Sequence, residues 1–232
     1  MANLAIIPAR GGSKRIPRKN IKLFLGKPII AYPIEAALKS NLFEEVVVST
    51  DDEEIASIAE KYGAKALYRS TENSDDFSTL FQVVKEVLTA SYSKDKMHFE
   101  TVSCILATNA FVTPVLLQKA HKFLTTEIVD SILPVIPFSY PIQRALKQNI
   151  KGELTFFNLE NFSKRTQDLE EAYHDAGMFY FTKTKSFLSP ENNKLSCGII
   201  KALILSDLET QDIDTLEDWN LAEFKYKYNI SE

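Results

Sequence analysis

Short hydrophobic runs alternate with amphipathic stretches along the first half of the chain. The runs are rich in Val, Ile and Leu and span residues 3–7, 45–50, 65–69, 101–108 and 131–136. Because each run is continuously hydrophobic rather than alternating with polar residues, it is typical of a strand that is covered on both faces. We therefore expect these runs to form buried strands of a mostly parallel sheet.

Three of the intervening stretches have helical patterns. Residues 51–63 begin with acidic side chains, which suit the positive end of a helix, and they end at Gly63, a typical C-cap residue. Residues 77–92 place Leu and Val side chains on one face. Residues 113–127 begin with a Thr-Pro pair suited to an N-cap and a first turn. We predict a helix in each stretch.

A fourth helix is predicted over residues 28–40, although Pro33 lies inside it. Because proline lacks a backbone donor, this helix either begins near Tyr32 or is kinked there. The repeated order of strand and helix predicts an α/β fold, namely a Rossmann-like, doubly wound, mostly parallel sheet with helices on both faces.

The pattern changes at residue 137. Residues 137–177 show no clear period and combine polar side chains with scattered aromatic ones, which makes them too apolar for a disordered linker. We interpret this segment as an irregular arm that either covers a site or packs against a second subunit. Strand patterns return at residues 178–183 and 198–206, and residues 214–228 are predicted to form the last helix.

Length and composition indicate one ordinary globular domain with an appended arm. The 232 residues are 45% hydrophobic and 25% charged, and the net charge is −4 with a pI near 5.6. An acidic chain argues against nucleic acid as a partner, and no apolar stretch approaches the ~18 residues that a membrane span needs. With no basic leader and only two cysteines, we expect a cytoplasmic protein in which Cys104 is a buried thiol.

The first motif is a concentration of positive charge in this acidic chain. Residues 10–19 hold five of the 27 basic residues together with Gly11 and Gly12, directly after the first predicted strand. Open α/β sheets bind ligands at the carboxyl ends of their strands, and glycines let the backbone approach an anion. The spacing matches neither the dinucleotide fingerprint nor the P-loop. The loop therefore predicts a polyphosphate site of another type, unless it is only a solvated basic turn.

The second motif is the pair Asp212 and Asp214 in "QDIDTLEDW". Alternate side chains of an extended segment point the same way, so both carboxylates can bind one hard cation. Mg²⁺ favours one or two carboxylates together with phosphate oxygens, which fits a phosphate loop at the same sheet edge. Alone the motif is weak, because either aspartate can instead cap the final helix.

The stretch "IIPARGGSKRIPRKNI" resembles the signature of the CMP-sialic acid synthetases, a family of cytidylyltransferases that activate nine-carbon acidic sugars. Within that family, "SDDF", "YPIQRALK" and "RTQDLEEAYHDAGMFY" look most like the subgroup that uses pseudaminate. The resemblance covers nearly the whole chain. It implies that CTP and free pseudaminate give CMP-pseudaminate and pyrophosphate with Mg²⁺ as cofactor, while sialate and legionaminate remain alternative sugars.

The resemblance also implies a division of the chain and a quaternary structure. Residues 1–136 correspond to a nucleotide-binding core, and residues 137–177 correspond to a sugar-site and dimerisation arm. Residues 178–232 return to the core with the metal motif and the last helix. We expect a homodimer in which Arg165 and Gln167 can act in the site of the neighbouring subunit.

Carried over position by position, the resemblance assigns roles to individual residues. The predicted catalytic residues are Lys19, near the α-phosphate, with Arg10 and Lys14 on the triphosphate. The predicted nucleotide-binding residues are Ala9, Arg10, Gly11, Gly12, Ser13, Lys14, Asn20, Arg69 and Ser78. The predicted sugar-binding residues are Gln143, Arg144, Arg165, Gln167 and His174, since the arginine fork suits a carboxylate. The predicted metal ligands are Asp212 and Asp214.

The chain departs from the family in "LATNAF" (106–111). Sialic-acid enzymes usually show "QPTSP" here and the pseudaminate subgroup "ATAPF", so Asn109 and Ala110 match neither. The missing Gln favours pseudaminate over sialate. Two functions outside the family also fit the motifs: a metal-dependent glycosyltransferase, whose diphosphate leaving group needs less positive charge, and a nucleotide sensor without catalytic activity.

Overall fold

The computed structural model describes residues 2–70, 78–95 and 99–231, so the "SDDF" stretch lies outside the described residues. In these ranges the strands are β1 (Asn3–Pro8), β2 (Leu23–Phe24), β3 (Lys27–Pro28), β4 (Glu45–Thr50), β5 (Lys65–Tyr68), β6 (Thr101–Ile105), β7 (Ser131–Pro137), β8 (Leu146–Gln148), β9 (Leu154–Phe156), β10 (Tyr173–Asp175), β11 (Phe179–Lys183) and β12 (Ile200–Ile204). The α-helices are α1 (Ala31–Lys39), α2 (Glu53–Lys61), α3 (Leu80–Asp95), α4 (Pro114–Thr126), α5 (Thr184–Phe187) and α6 (Leu216–Ser231).

Eight of these strands form one mixed, mostly parallel central sheet. One half consists of parallel strands in the order β5, β4, β1, β6. Next to it, β11 pairs antiparallel with both β6 and β7, while β12 pairs in parallel with β7. The short strand β10 also pairs antiparallel with β7. Because β6, β7 and β12 share one direction, the strands that carry the basic loop and the aspartate pair end at the same edge.

Helices cover both faces of the sheet, as the continuous hydrophobic runs predicted. Successive residues of β1 point to opposite faces. Ala5 and Ile7 join a core cluster that includes buried residues of α1, α2, α4 and α6. Leu4 and Ile6 join a second cluster with buried residues of α3 and α5. The predicted α/β fold with helices on both faces is confirmed.

Pro33 does not kink its helix. It lies in the first turn of α1, where a backbone N–H has no intrahelical partner, so its missing donor has no cost there. The next residue, Ile34, already donates its N–H to the Ile30 carbonyl at 3.3 Å. Of the two predicted alternatives, a helix that begins near Tyr32 is the one observed, since α1 starts at Ala31.

The segment over 137–177 contributes little to the core of one chain. Its strands β8 and β9 form a separate two-stranded sheet, and 3₁₀ turns follow them. Within the segment only Asn161 and Ala176 are buried. Its assignment as a dimerisation arm stays a prediction. Among the described residues no helix has both the length and the apolar character required to cross a membrane.

Candidate active site

A cavity of about 620 Å³ opens at the sheet edge where β1, β5 and β6 end. Apolar side chains such as Ile16, Val83 and Leu106 form part of its wall. Among the described residues, the charged side chains in its lining are Arg10, Lys14, Arg15, Lys19, Arg69 and Asp212. In this described part of the lining, five cations against one carboxylate make the cavity suitable for a small molecule that carries several negative charges.

The basic loop after β1 is held to the sheet by its backbone and by buried side chains. The Ala9 N–H donates to the Ser49 carbonyl at 2.9 Å, which extends the pairing of β1 with β4. Asn20 Nδ2 donates to the Arg10 carbonyl at 2.8 Å, and Ile16 is buried in the core. The loop is therefore fixed at both ends and in the middle, and it presents Arg10, Ser13 and Lys14 to the cavity.

Gly11 lies where a larger residue does not fit. Its N–H donates to Asp51 Oδ1 at 2.8 Å, so this backbone donor binds a carboxylate of the protein itself. A Cβ atom at this position would lie only 2.6 Å from Asp52 Oδ2. Gly11, Gly12 and Ala9 shape the loop without contributing to the cavity lining, and their predicted contact with a nucleotide stays a prediction.

Arg18 turns away from the cavity and ties the loop to α2. It has a left-handed backbone conformation (φ 55°), and its guanidinium binds both carboxylate oxygens of Asp52, together with Glu54 at 2.5 Å. Asp52 is also the N-cap of α2 and accepts the N–H groups of Glu54 and Ile55. The bond from Arg18, together with these N–H groups, lowers the pKa of Asp52 to about 2.

Lys19 connects the basic loop to the aspartate motif, 194 residues later in the chain. Its Nζ donates to the Ile213 carbonyl at 2.5 Å and lies 3.7 Å from Asp214 Oδ1. Arg15 binds the same carboxylate oxygen at 2.9 Å. The two motifs that the sequence singled out therefore meet at one end of the cavity.

Asp212 faces the cavity, while its neighbour Ile213 is buried in the core. This is the alternation expected for an extended segment. Burial by the surrounding protein, and then the charge of Asp214, raise the pKa of Asp212 above its usual value, although the side chain stays accessible from the cavity. A cation beside it would relieve both effects.

Neither aspartate caps the final helix. Thr215 precedes α6, and its hydroxyl accepts the Asp218 N–H at 3.2 Å while Asp218 Oδ2 accepts the Thr215 N–H at 2.8 Å. This reciprocal pair satisfies the start of the helix. The interpretation of Asp212 or Asp214 as a helix cap is wrong: the Asp212 carboxylate faces the cavity, and the Asp214 carboxylate binds Arg15.

Arg69, which follows β5, and Ser78, which precedes α3, also line the cavity. Arg69 donates to the Ser49 hydroxyl at 3.1 Å and to its carbonyl at 2.9 Å. Burial lowers the pKa of Arg69 from its usual value. The same burial makes Cys104, which lies on β6, an inert thiol with a pKa raised to about 12, as the sequence predicted.

A family model for cytidylyltransferases matches residues 4–198. The chain belongs to the cytidylyltransferase family. It is 42% identical over 230 residues to a pseudaminic acid cytidylyltransferase of Campylobacter jejuni, with 99% of this chain and 98% of the relative covered. It is 35% identical to a CMP-N,N'-diacetyllegionaminic acid synthase of Legionella pneumophila, with 96% and 95% covered. The family predicted from the motifs is thereby confirmed.

A solved structure shares the architecture of this cytidylyltransferase. It is a CMP:2-keto-3-deoxy-manno-octonic acid synthetase in complex with CTP, with a TM-score of 0.70 over 100% of both chains. Because the sequence identity is 17%, this likeness concerns the fold alone.

The predicted sugar-binding residues of this cytidylyltransferase do not line the cavity of their own chain. Gln143 Nε2 donates to the Glu170 carbonyl at 2.8 Å, and Arg144 donates to the Lys164 carbonyl. The other three are exposed: Arg165 is paired with Asp168 at 2.8 Å, Gln167 lies beside this pair, and His174 Nδ1 lies 3.0 Å from the Asp175 carbonyl. Their role in sugar binding stays a prediction.

The sequence did not indicate which buried polar residues support the loops around the cavity. Asn109 and Thr210 are both buried and hydrogen-bonded to each other behind Asp212. The available signal was a lone Asn in the apolar stretch after β6. Arg15 was noted only as part of the basic cluster, although it lines the cavity and binds Asp214.

Proposed function

We propose that this chain transfers the cytidylyl group of CTP to pseudaminate, a nine-carbon acidic sugar, and releases pyrophosphate. The observation that carries the proposal is the meeting of the basic loop and the aspartate motif at one cavity, through Lys19. The identity to a pseudaminic acid cytidylyltransferase over nearly the whole chain supports the choice of nucleotide and sugar.

In this proposal Arg10 and Lys14 bind the β- and γ-phosphates. Both line the cavity on the loop that follows β1, where positive charge stabilises the pyrophosphate as it leaves. Ser13 and Asn20 complete the phosphate side of the cavity. Arg69 and Ser78, which also line the cavity, contact the nucleoside, and the guanidinium of Arg69 is already oriented by its two bonds to Ser49.

Lys19 is the proposed catalytic residue at the α-phosphate. Its ammonium group is held in the cavity wall by the Ile213 carbonyl, so the charge does not have to be reoriented during the reaction. The anomeric hydroxyl of the sugar attacks the α-phosphorus in line with the departing pyrophosphate. Such a reaction depends on positioning and charge neutralisation rather than on a covalent intermediate with the protein.

The residues present fit Mg²⁺ as the cofactor. Asp212 faces the cavity, burial and then the charge of Asp214 raise its pKa, and Asp214 is two residues away. Over 2–70, 78–95 and 99–231 no cluster of three or more acidic, His or Cys side chains occurs, and the aspartate motif contributes two carboxylates. That number suits a Mg²⁺ ion that also takes phosphate oxygens. When bound, the ion supplies charge neutralisation at the phosphates and lowers the pKa of a bound hydroxyl.

The sugar side of the site requires a homodimer. Large apolar side chains are exposed along residues 138–173 of a single chain, including Tyr140, Ile150, Leu154, Phe157, Leu159 and Phe162. A patch of this kind is typical of a surface that a partner covers. In the dimer the arm brings Gln143, Arg144, Arg165, Gln167 and His174 to the neighbour's cavity, where an arginine fork binds the sugar carboxylate. The two free cysteines suit the cytoplasm as the compartment.

The test is an assay of the purified protein with CTP, Mg²⁺ and each of three sugars, namely pseudaminate, legionaminate and sialate. We expect pyrophosphate release and a CMP-sugar product with pseudaminate. Turnover with sialate or legionaminate but not with pseudaminate would contradict the proposed sugar substrate and would still support cytidylyl transfer. CTP binding without turnover on any sugar would support a nucleotide sensor, and release of a nucleoside diphosphate from a sugar nucleotide would support a glycosyltransferase.

A further inference from the structure

Asn109 uses its whole side-chain amide to join three segments of the chain. It is 2% exposed, and its Nδ2 donates to the Gly177 carbonyl at 2.9 Å and to Thr210 Oγ1 at 3.0 Å. Its Oδ1 accepts the Phe111 N–H at 3.1 Å. All of its hydrogen-bonding groups are therefore occupied, two of them by residues from distant parts of the sequence.

Thr210 carries this connection toward the aspartate motif. It is 1% exposed, and its hydroxyl accepts from Asn109 and donates to the Ala176 carbonyl at 3.0 Å. Thr210 lies two residues before Asp212. Gly177, on the other side of the connection, lies beside Asp212, and a Cβ atom there would be in ordinary van der Waals contact with Asp212 Cγ at 3.5 Å. Asp212 is thus supported by two segments that Asn109 and Thr210 hold together.

The rest of the loop before Asp212 is also fixed. The buried Lys225 donates to the Asp207 carbonyl at 2.7 Å and to the Thr210 carbonyl at 3.3 Å. Lys19 holds the following residue through the Ile213 carbonyl. These contacts do not hold the loop to the segment after β6. The hydrogen bond between Asn109 and Thr210 does, because Asn109 belongs to that segment and Thr210 to the loop.

We propose that Asn109 and Thr210 are positioning residues that set the place of the Asp212 carboxylate in the cavity. This inference rests on the proposed function, in which Asp212 binds the metal that accompanies CTP. A metal-binding carboxylate has to be held closely in place, and loss of a supporting hydrogen-bond partner typically lowers metal affinity or activity by about 10- to 100-fold.

The experiment compares Thr210→Val with Thr182→Val. Thr182 is a matched control, because it is also buried and also donates its hydroxyl to a carbonyl, that of Leu195 at 2.8 Å, but it lies on β11 outside the cavity lining. Both variants lose a buried hydroxyl and keep their shape. The measurements are the Mn²⁺ affinity of the CTP-bound protein by electron paramagnetic resonance, the Mg²⁺ concentration that gives half-maximal turnover, and the thermal unfolding midpoint.

We expect Thr210→Val to weaken Mn²⁺ binding and raise the half-maximal Mg²⁺ concentration by about tenfold. Thr182→Val should lower the unfolding midpoint by about as much as Thr210→Val does, but it should leave both metal measurements unchanged. Thr210→Ser, which keeps the hydroxyl, should restore the metal affinity. The double variant Asn109→Ala, Thr210→Val should lose little more metal affinity than either single variant, since both residues act through the same hydrogen bond.

Equal metal affinity in Thr210→Val and Thr182→Val would overturn the inference. If Thr210→Val does not fold, Thr210→Ala against Thr182→Ala decides in the same way. The binding measurement also separates this inference from the proposed function. A wild-type protein that binds Mn²⁺ and CTP but transfers nothing contradicts the proposed reaction, while the response of Thr210→Val still tests the positioning role.

Discussion

Replacing Lys19 by Met removes one positive charge from the cavity and keeps most of the apolar stem of the side chain. In the native structure the ammonium group donates to the Ile213 carbonyl at 2.5 Å and lies 3.7 Å from Asp214 Oδ1. The variant therefore loses one charged hydrogen bond and one ion pair. It should separate the contribution of Lys19 to stability from its contribution to the reaction.

The expected loss of stability is small. Two unit charges 4 Å apart attract by about 4 kcal/mol at an effective dielectric of 20, but Asp214 is 43% exposed and keeps a second partner in Arg15. Screening by solvent reduces such a pair to about 1 kcal/mol or less. The Ile213 carbonyl can accept a bond from water in the cavity, so we expect a total loss of about 1–2 kcal/mol. For a chain of this size that corresponds to roughly 2–8 °C in the unfolding midpoint.

The expected loss of activity is much larger. A cation that is already oriented where charge develops contributes about 10² to 10³ in kcat, judged from the removal of single oxyanion donors. Lys19→Met should therefore lower kcat for pyrophosphate release about 100- to 1000-fold. The KM for CTP should change less, because Arg10, Lys14 and Arg69 still face the cavity.

The assay is steady-state pyrophosphate release with CTP, Mg²⁺ and pseudaminate, at a temperature below the unfolding midpoint of each variant. Lys22→Met is the matched control, since Lys22 is exposed three residues away and outside the cavity lining. The control should keep kcat within about twofold of wild type. A folded Lys19→Met protein with the kcat of the control would refute the catalytic role of Lys19.

Three further predictions follow from the charges and the exposed surface. Asp212→Asn should lose metal-dependent turnover by at least about 100-fold yet unfold at the same or a higher temperature in calorimetry, because burial and a neighbouring charge raise the pKa of Asp212 and disfavour its ionised form. Asp52→Asn should lower the free energy of unfolding by about 1–2 kcal/mol at pH 7, because the native pKa of Asp52 is lowered to about 2. The stabilisation by Asp52 is complete above its unfolded pKa of about 4 and is lost as the pH falls toward 2. Urea unfolding of both proteins across that pH range measures it. Leu159→Glu, on an arm side chain that is 76% exposed, should change the mass measured by light scattering from a dimer to the 26.3 kDa chain and abolish turnover, whereas Ile128→Glu, at a 92% exposed position outside the arm, should leave the dimer intact.

Most strands were predictable because their hydrophobic runs are continuous and the sheet is covered on both faces, but the prediction of a buried strand over 65–69 is wrong, since the edge strand β5 has no buried residue. The run over 101–108 still exceeds β6, which ends at Ile105. The additional residues Leu106 and Ala107 are apolar because they belong to the cavity wall rather than to a strand. The pairing of β11 between β6 and β7 was not predictable, since strand order depends on contacts distant in sequence.

The basic loop was recognisable from charge density, but the division of its side chains was not. In sequence, Arg18 cannot be told from the other four basic residues of the loop. In the structure it differs from them, because its guanidinium binds Asp52 at the start of α2 and does not line the cavity. Asn109 and Thr210 were equally hidden, since buried polar residues that support a loop carry no periodic signal. The arm could be recognised as irregular, but in the proposed homodimer the position of its side chains would depend on a second chain.

The arrangement of acidic residues explains how one cavity can hold both a polyphosphate and a carboxylate. Asp51 and Asp52 lie on the outer side of the basic loop and fix its shape. Asp212 lies on the inner side, where a triphosphate beside it would meet like charge in partly buried surroundings, at a cost of several kcal/mol for charges about 4 Å apart. A divalent cation between them turns this repulsion into two attractions. The proposed role of Mg²⁺ is therefore consistent with the charges that line the cavity, and the aspartate pair is informative only because the basic loop lines the same cavity.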